Sequence, residues 1–387
     1  MAAAKSLKLT RLTLTDFRNY AGLRLETDKS LIALSGPNGA GKTNLLEAIS
    51  LLSPGRGLRG AGFDELARLG GHGTWAISAE LDAADGPVSL GTGWSGQGEG
   101  GDGGGQSRLV LIDGHVERSS GALGQHMRML WLTPAMDRLF AGPASDRRRF
   151  LDRLVQAFDP EHGSRVLVFE KVMRERNLLL EDPRADQAWI SSLEAHMGEA
   201  GVAIAAARLT GIDALQKHIG RVRTGSRFPW GIVAVDGEVE ALVSAMPAVR
   251  AEDEYRKILA DSRGLDRAAG RTLKGPHRSD FSVIHGPKGM PAGQCSTGEQ
   301  KALLIGLILA QASAVKTETG VAPLLLLDEV AAHLDRTRRG GLFESLEALG
   351  SQAWMTGTDA ELFDGLGKTS AVLHVEAGTV SDMRKTR

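Results

Sequence analysis

Cysteine is almost missing from this chain. Cys295 is the one cysteine in 387 residues, and a single thiol excludes an intramolecular disulfide framework. It is read as a packed small apolar side chain rather than a catalytic thiol. No histidine or cysteine cluster has zinc-ligand spacing, so no structural zinc is expected. Only two tyrosines are present, which argues against a row of base-stacking aromatics. The net charge is −1, so composition does not announce a nucleic-acid binder. The first residues, Met1 to Lys8, lack the sustained apolar segment of a secretory signal. The longest apolar stretch, near Leu303 to Val315, is too short for a bilayer. A cytoplasmic protein with no membrane partner is expected. At 42% hydrophobic and 24% charged, the composition is that of an ordinary globular chain, and its length suggests two or three domains.

Glycine is abundant, and one cluster of it is ordered like a phosphate cradle. Gly36-Pro37-Asn38-Gly39-Ala40-Gly41-Lys42-Thr43 fits G-x-x-x-x-G-K-[ST]. Before it, Ser30 to Leu34 is short and apolar, as in a buried strand. After it, Asn44 to Leu52 contains good helix formers and no breaker until Pro54. Strand, glycine loop and helix together aim backbone N–H groups and a helix N-terminus at phosphate. On this reading Gly36 to Asn44 bind ATP. Lys42 pairs with the β- and γ-phosphates, and the Thr43 hydroxyl is a ligand of Mg2+.

Near the other end, Pro323-Leu324-Leu325-Leu326-Leu327 runs into Asp328-Glu329. A continuous apolar run of this length is a strand buried on both faces. Acids at its C-terminal end lie where open parallel sheets bind ligands. Asp328 is the candidate metal carboxylate, and Glu329 the candidate base that orients water; Glu329 and Lys42 are the catalytic candidates. Just upstream, Ser296-Thr297-Gly298-Glu299 reads as a helix capping box. A capped helix start beside a glycine also suits phosphate, so Ser296 and Gly298 join the cofactor-binding set.

The rest of the chain must be inserted between these two parts of one fold. Residues 1–130 read as the strand-rich N-terminal part of an ATPase head, 131–270 as an inserted compact helical lobe, and 271–387 as the C-terminal part of the head. Phe150 to Phe158, Val166 to Leu180 and Trp189 to Ile219 carry helical spacing. Asp182-Pro183 and Phe228-Pro229-Trp230 interrupt them, which excludes a long heptad arm. Gly91 to Gly105 holds nine glycines in fifteen positions and reads as a flexible loop. Asp113-Gly114 marks a hairpin. Arginine clusters stand at 147–149 with Arg153, at 221, 223 and 227, and at Arg56 and Arg59. Each is read first as a solvated face, with a phosphate-tracking surface as the alternative.

These motifs resemble an ABC-type ATPase head of the SMC and Rad50 kind, and most specifically the bacterial RecF family. Further segments carry that resemblance in order: Leu14 to Tyr20, Ser53 to Arg59, Pro134 with Arg147 to Asp152, Gly275 to Asp280, and His333-Leu334-Asp335. The resemblance implies an α/β P-loop fold and a weak, DNA-dependent ATPase. It implies an ATP-dependent homodimer in which Ser296 and Gly298 close on the nucleotide of a second copy. It also implies duplex and gapped DNA as ligand, RecO and RecR as partners, and a role in recombinational repair and replication. Two features of such heads are missing. No glutamine stands in Trp131-Leu132-Thr133-Pro134, and no switch histidine in Ala353 to Asp359, which implies slow hydrolysis. An ABC-type head that powers a nuclease is the alternative, and the short stretch after Glu329 leaves little room for that extra domain.

Overall fold

The structure is a computed structural model that describes residues 7–83, 86–96, 108–367 and 369–383. In chain order the strands are β1 (Lys8–Phe17), β2 (Tyr20–Glu26), β3 (Leu31–Ser35), β4 (Trp75–Ala83), β5 (Gly86–Trp94), β6 (Leu109–Ile112), β7 (His115–Val116), β8 (Met129–Leu132), β9 (Gly231–Asp236), β10 (Asp280–His285), β11 (Met290–Pro291), β12 (Leu324–Leu327), β13 (Ala353–Gly357), β14 (Ala371–Glu376) and β15 (Thr379–Asp382). The helices are α1 (Lys42–Ser50), α2 (Leu123–His126), α3 (Ala144–Gln156), α4 (His162–Glu181), α5 (Gln187–Val222), α6 (Glu238–Ala245), α7 (Ala248–Ala269), α8 (Thr297–Thr319) and α9 (Arg336–Leu349). The chain forms two compact units, residues 1–137 with 304–387, and residues 138–303.

The first unit holds two sheets. One is antiparallel, in the order β2-β1-β4-β5-β6-β7. The other runs β15-β14-β3-β13-β12-β8, with β14, β3, β13, β12 and β8 all parallel. Leu324 to Leu327 form β12 and are at most 2% exposed. Helices cover both faces of parallel sheets, so their central strands are apolar throughout. Each such leucine contributes about 1.5–3 kcal/mol by leaving water. The strand order brings the end of β12 beside the ends of β13 and β3, where chain segments far apart in sequence meet. The Asp113-Gly114 turn is the two-residue hairpin expected, with φ of 49° and 79° joining β6 to β7. The glycine-rich stretch begins differently from expectation. Gly91 to Trp94 complete β5 and pair with β4 and β6, with Gly93 backing closely onto Trp75 O. Residues 97–105 of that stretch lie outside the described residues.

The second unit is not wholly helical as expected for 131–270. Gly231 to Asp236 make a strand, and β9, β10 and β11 form a three-stranded sheet. The alternation Ile232, Val233, Ala234, Val235 gives one buried and one exposed face, a pattern too short to stand out between long helices. Phe169, Met197, Tyr255 and Leu259 build the helical core. Arg176 is fully buried there, donating to Glu194 at 3.0 Å, Asp266 at 2.7 Å, Thr272 at 3.0 Å and the Leu259 carbonyl at 2.8 Å. A buried charge is tolerated only when matched in this way. Helix α8 passes by length and apolarity for a membrane span, yet 61% of that window is buried inside the protein.

Candidate functional site

The phosphate loop is shaped by glycines that no other residue replaces easily. Gly36, Gly39 and Gly41 have φ of 147°, 81° and 114°, a region that L side chains rarely enter. A Cβ on Gly36 would lie 2.1 Å from the Val375 carbonyl oxygen, and one on Gly41 would lie 2.5 Å from the Asn19 amide. Helix α1 starts at Lys42, and Gly41 is its cap. Lys42 is 5% exposed. Its Nζ donates to the carbonyls of Gly36 at 2.5 Å and Pro37 at 2.8 Å. Burial lowers its pKa, while Glu329, Asp328 and Asp359 act to raise it. A buried ammonium held by neutral loop carbonyls suits exchange onto an anionic ligand.

The loop is braced from the turn between β1 and β2. The Asn19 amide donates to Ala40 O at 3.0 Å, and Tyr20 OH donates to Gly41 O at 3.0 Å. Tyr20 is fully buried, and burial pushes its phenol well above the usual range, so it remains a neutral donor. Asn44 donates to Asn19 Oδ1 at 2.8 Å and accepts from Arg59 at 2.8 Å. Beneath them Glu47, 1% exposed, takes a two-pronged bond from Arg18 at 2.8 and 2.9 Å and one from Arg59 at 3.1 Å. Sequence reasoning treated Leu14 to Tyr20 only as a resemblance. Asn19, Tyr20 and Glu47 were missed as supports because side-chain bonds across elements leave no periodic signal.

The carboxylates stand at the end of β12. Asp328 is 5% exposed, and its amide donates to Leu132 O at 2.9 Å. Its Oδ1 accepts from Thr43 Oγ1 at 2.9 Å and from Thr356 Oγ1 at 2.8 Å. Burial is the largest influence on Asp328 and raises its pKa; the two hydroxyls oppose that. Glu329 follows with φ 52°, and its N–H donates to Thr356 Oγ1 at 2.8 Å. Thr43 and Asp328, 285 positions apart, therefore present adjacent hard oxygen donors. That donor set fits Mg2+.

Ser296 and Gly298 belong to the second unit. Half of the expected capping box is formed, with Ser296 N–H donating to Glu299 at 3.0 Å. Lys288 beside Glu299, then the Ser296 bonds, hold the Glu299 carboxyl down at about 2. The His333 side chain lies outside the described residues. Asp335 caps α9, accepting from Arg338 N–H at 2.8 Å. The α3 arginines are not one solvated face. Arg147 forks onto Asp280 at 2.7 Å twice, Arg148 donates to Ser279 O at 2.8 Å, and the Arg149 side chain is 75% exposed. Arg59 is tied to Glu47 and Asn44, and Arg223 stacks 5.4 Å over the Trp230 ring.

A parallel sheet carrying a glycine phosphate loop, with paired acids two strands away, defines a P-loop ATPase, and the family comparisons make it an ABC-type head. The RecF/RecN/SMC N-terminal domain family matches residues 8–381. The chain is 54% identical over 373 residues to "DNA replication and repair protein RecF" of Mesorhizobium japonicum, covering 96% of this chain and 97% of that protein. It is 50% identical over 376 residues to the protein of the same name from Brucella suis, covering 97% of this chain and 96% of that one. The chain belongs to the RecF family. Its fold is also that of a solved structure of the recombination mediator protein RecF with ATP in the RecFOR pathway, at TM-score 0.83, 23% identity and 99% of each chain. An Smc head domain from Pyrococcus furiosus aligns at TM-score 0.53 and 13% identity.

Proposed function

We propose that this protein is an ATP-driven DNA-binding switch of replication and recombinational repair. Binding of ATP joins two copies on duplex or gapped DNA, and slow, DNA-dependent hydrolysis releases them. The observation that supports this reading most is the hydrogen bond from Thr43 to Asp328, which joins the phosphate loop to the carboxylate strand. Lys42 leaves its loop carbonyls for the β- and γ-phosphates of ATP, which supply a stronger negative partner. Thr43 and Asp328 would hold Mg2+, which would supply positive charge beside the phosphates. Glu329 accepts a hydrogen bond from the attacking water and aims it at the γ-phosphate.

Ser296 and Gly298 are capped to present a helix start, and in this reading they close on the nucleotide of the second copy. RecO and RecR are the proposed protein partners, and the cytoplasm the compartment. Relatives at 54% and 50% identity carry the name of DNA replication and repair, which supports the cellular role. Sedimentation of the wild type, Lys42→Met and Ser296→Arg, with and without ATP, tests the switch. The expected result is an ATP-dependent dimer in the wild type alone. A monomer in all three proteins, with and without ATP, refutes it.

A further inference from the structure

Thr356, in β13, reaches both of the residues that follow β12. Thr356 is fully buried. Its one hydroxyl donates to Asp328 Oδ1 at 2.8 Å and accepts from the Glu329 backbone N–H at 2.8 Å. The proton it gives and the lone pair it offers therefore fix two consecutive residues of the opposite strand end. Glu329 needs such a hold. Its φ of 52° is costly for a side-chain-bearing residue, and such conformations persist only where surroundings over-determine them. The same Asp328 oxygen also accepts from Thr43.

We infer that Thr356 is a positioning residue for hydrolysis. It sets the backbone of Glu329, and through it the direction of the carboxylate. The inference rests on the proposed role of Glu329. It differs from a packing role because β13 and β12 would stay paired without the hydroxyl: Leu325, Leu326 and Leu327 register with Ala353, Trp354 and Met355. Thr356→Val keeps the shape and removes both hydrogen bonds.

The test measures steady-state ATP turnover, equilibrium binding of a fluorescent ATP analogue across Mg2+ concentrations, and thermal melting. It uses the full chain with Thr356→Val, Thr356→Ser, Glu329→Gln and the Val/Gln double variant. Thr356→Val should lose about 10–100-fold in kcat while its nucleotide affinity changes by less than about 3-fold. Thr356→Ser, which keeps the hydroxyl, should return kcat to within about 3-fold of wild type. The double variant should be no slower than Glu329→Gln alone, because Thr356 acts through that residue. Wild-type kcat in Thr356→Val overturns the inference, as does a Thr356→Ser variant as slow as Thr356→Val. If Thr356→Val melts before assay, Thr356→Ala must show the same loss of kcat with retained affinity, or the inference fails. Wild-type turnover in Glu329→Gln would instead overturn the role of Glu329 itself.

Discussion

Truncating Glu47 to alanine should both loosen the fold and weaken nucleotide binding. Its carboxylate is 1% exposed between Arg18, whose side chain is 21% exposed, and Arg59, which is 43% exposed. Removing one partner of a buried pair costs about 3–5 kcal/mol when the other charge stays out of water. Here Arg59 rehydrates readily, and its exposed bond is worth about 0–1 kcal/mol. Arg18 rehydrates only in part and has two bonds to lose. The net expectation is about 2–3 kcal/mol. At about 2–4 °C per kcal/mol for a unit of this size, Tm should fall by about 4–12 °C.

The functional consequence follows from chain neighbours. Arg18 sits at φ 54° immediately before Asn19 and Tyr20, which hold the carbonyls of Ala40 and Gly41. Freeing Arg18 frees that brace, so ATP affinity should drop by about 3–10-fold, the equivalent of roughly one lost net hydrogen bond. Glu47→Gln, which keeps one of the two acceptor oxygens and loses the charge, should fall between wild type and Glu47→Ala. Differential scanning calorimetry and nucleotide titration read both effects. Glu47→Ala melting within about 1 °C of wild type would refute the reasoning, and so would an Arg59→Ala variant that is equally harmful.

Arg176→Met in the second unit should cost about 3–5 kcal/mol in chemical denaturation, because Asp266 loses its ion pair while Glu194 retains Arg263. A loss under about 1 kcal/mol would mean the cluster is not held as described. Arg149→Glu should weaken duplex DNA binding and flatten the logarithmic salt slope by about one if α3 faces phosphate, whereas Arg147→Glu should chiefly lower Tm by breaking its fork with Asp280. Fluorescence anisotropy across salt concentrations distinguishes them, and an unchanged slope in Arg149→Glu removes α3 from the DNA surface. The Lys288 contact, then the Ser296 bonds, depress the Glu299 pKa to about 2 against 4.5, so their contribution is present above 4.5 and lost as pH falls toward 2. Its carboxyl carbon shift should titrate near 2 by NMR; a midpoint above about 4 contradicts these contacts.

Much of the site was legible locally because its chemistry demands local spacing. Only glycine serves the loop φ values at Gly36, Gly39 and Gly41, and only a short apolar run makes a doubly buried strand such as β12. Those requirements leave marks on a one-dimensional string. The long helices α4 and α5 were legible for the same reason, through 3.6-residue spacing. The strand β9 was hidden because six residues between long helices carry too few alternations to outweigh their surroundings. The brace at Asn19, Tyr20 and Glu47, and the clasp at Thr356, left no mark because they join residues through side chains of separate elements.

The sequence by itself determined the glycine loop, the apolar strand ending in two acids, the long helices and the ATPase family, since each depends on residue type and near-neighbour spacing. Tertiary structure alone decided what holds these parts in working order. Parallel pairing of β3, β13 and β12 brings Thr43, Asp328 and Thr356 within hydrogen-bond reach. It also decided that Arg147 and Arg59 serve as internal ties while Arg149 faces solvent. An arginine reads the same in sequence whether its partner is a buried carboxylate or water; only folding chooses between them.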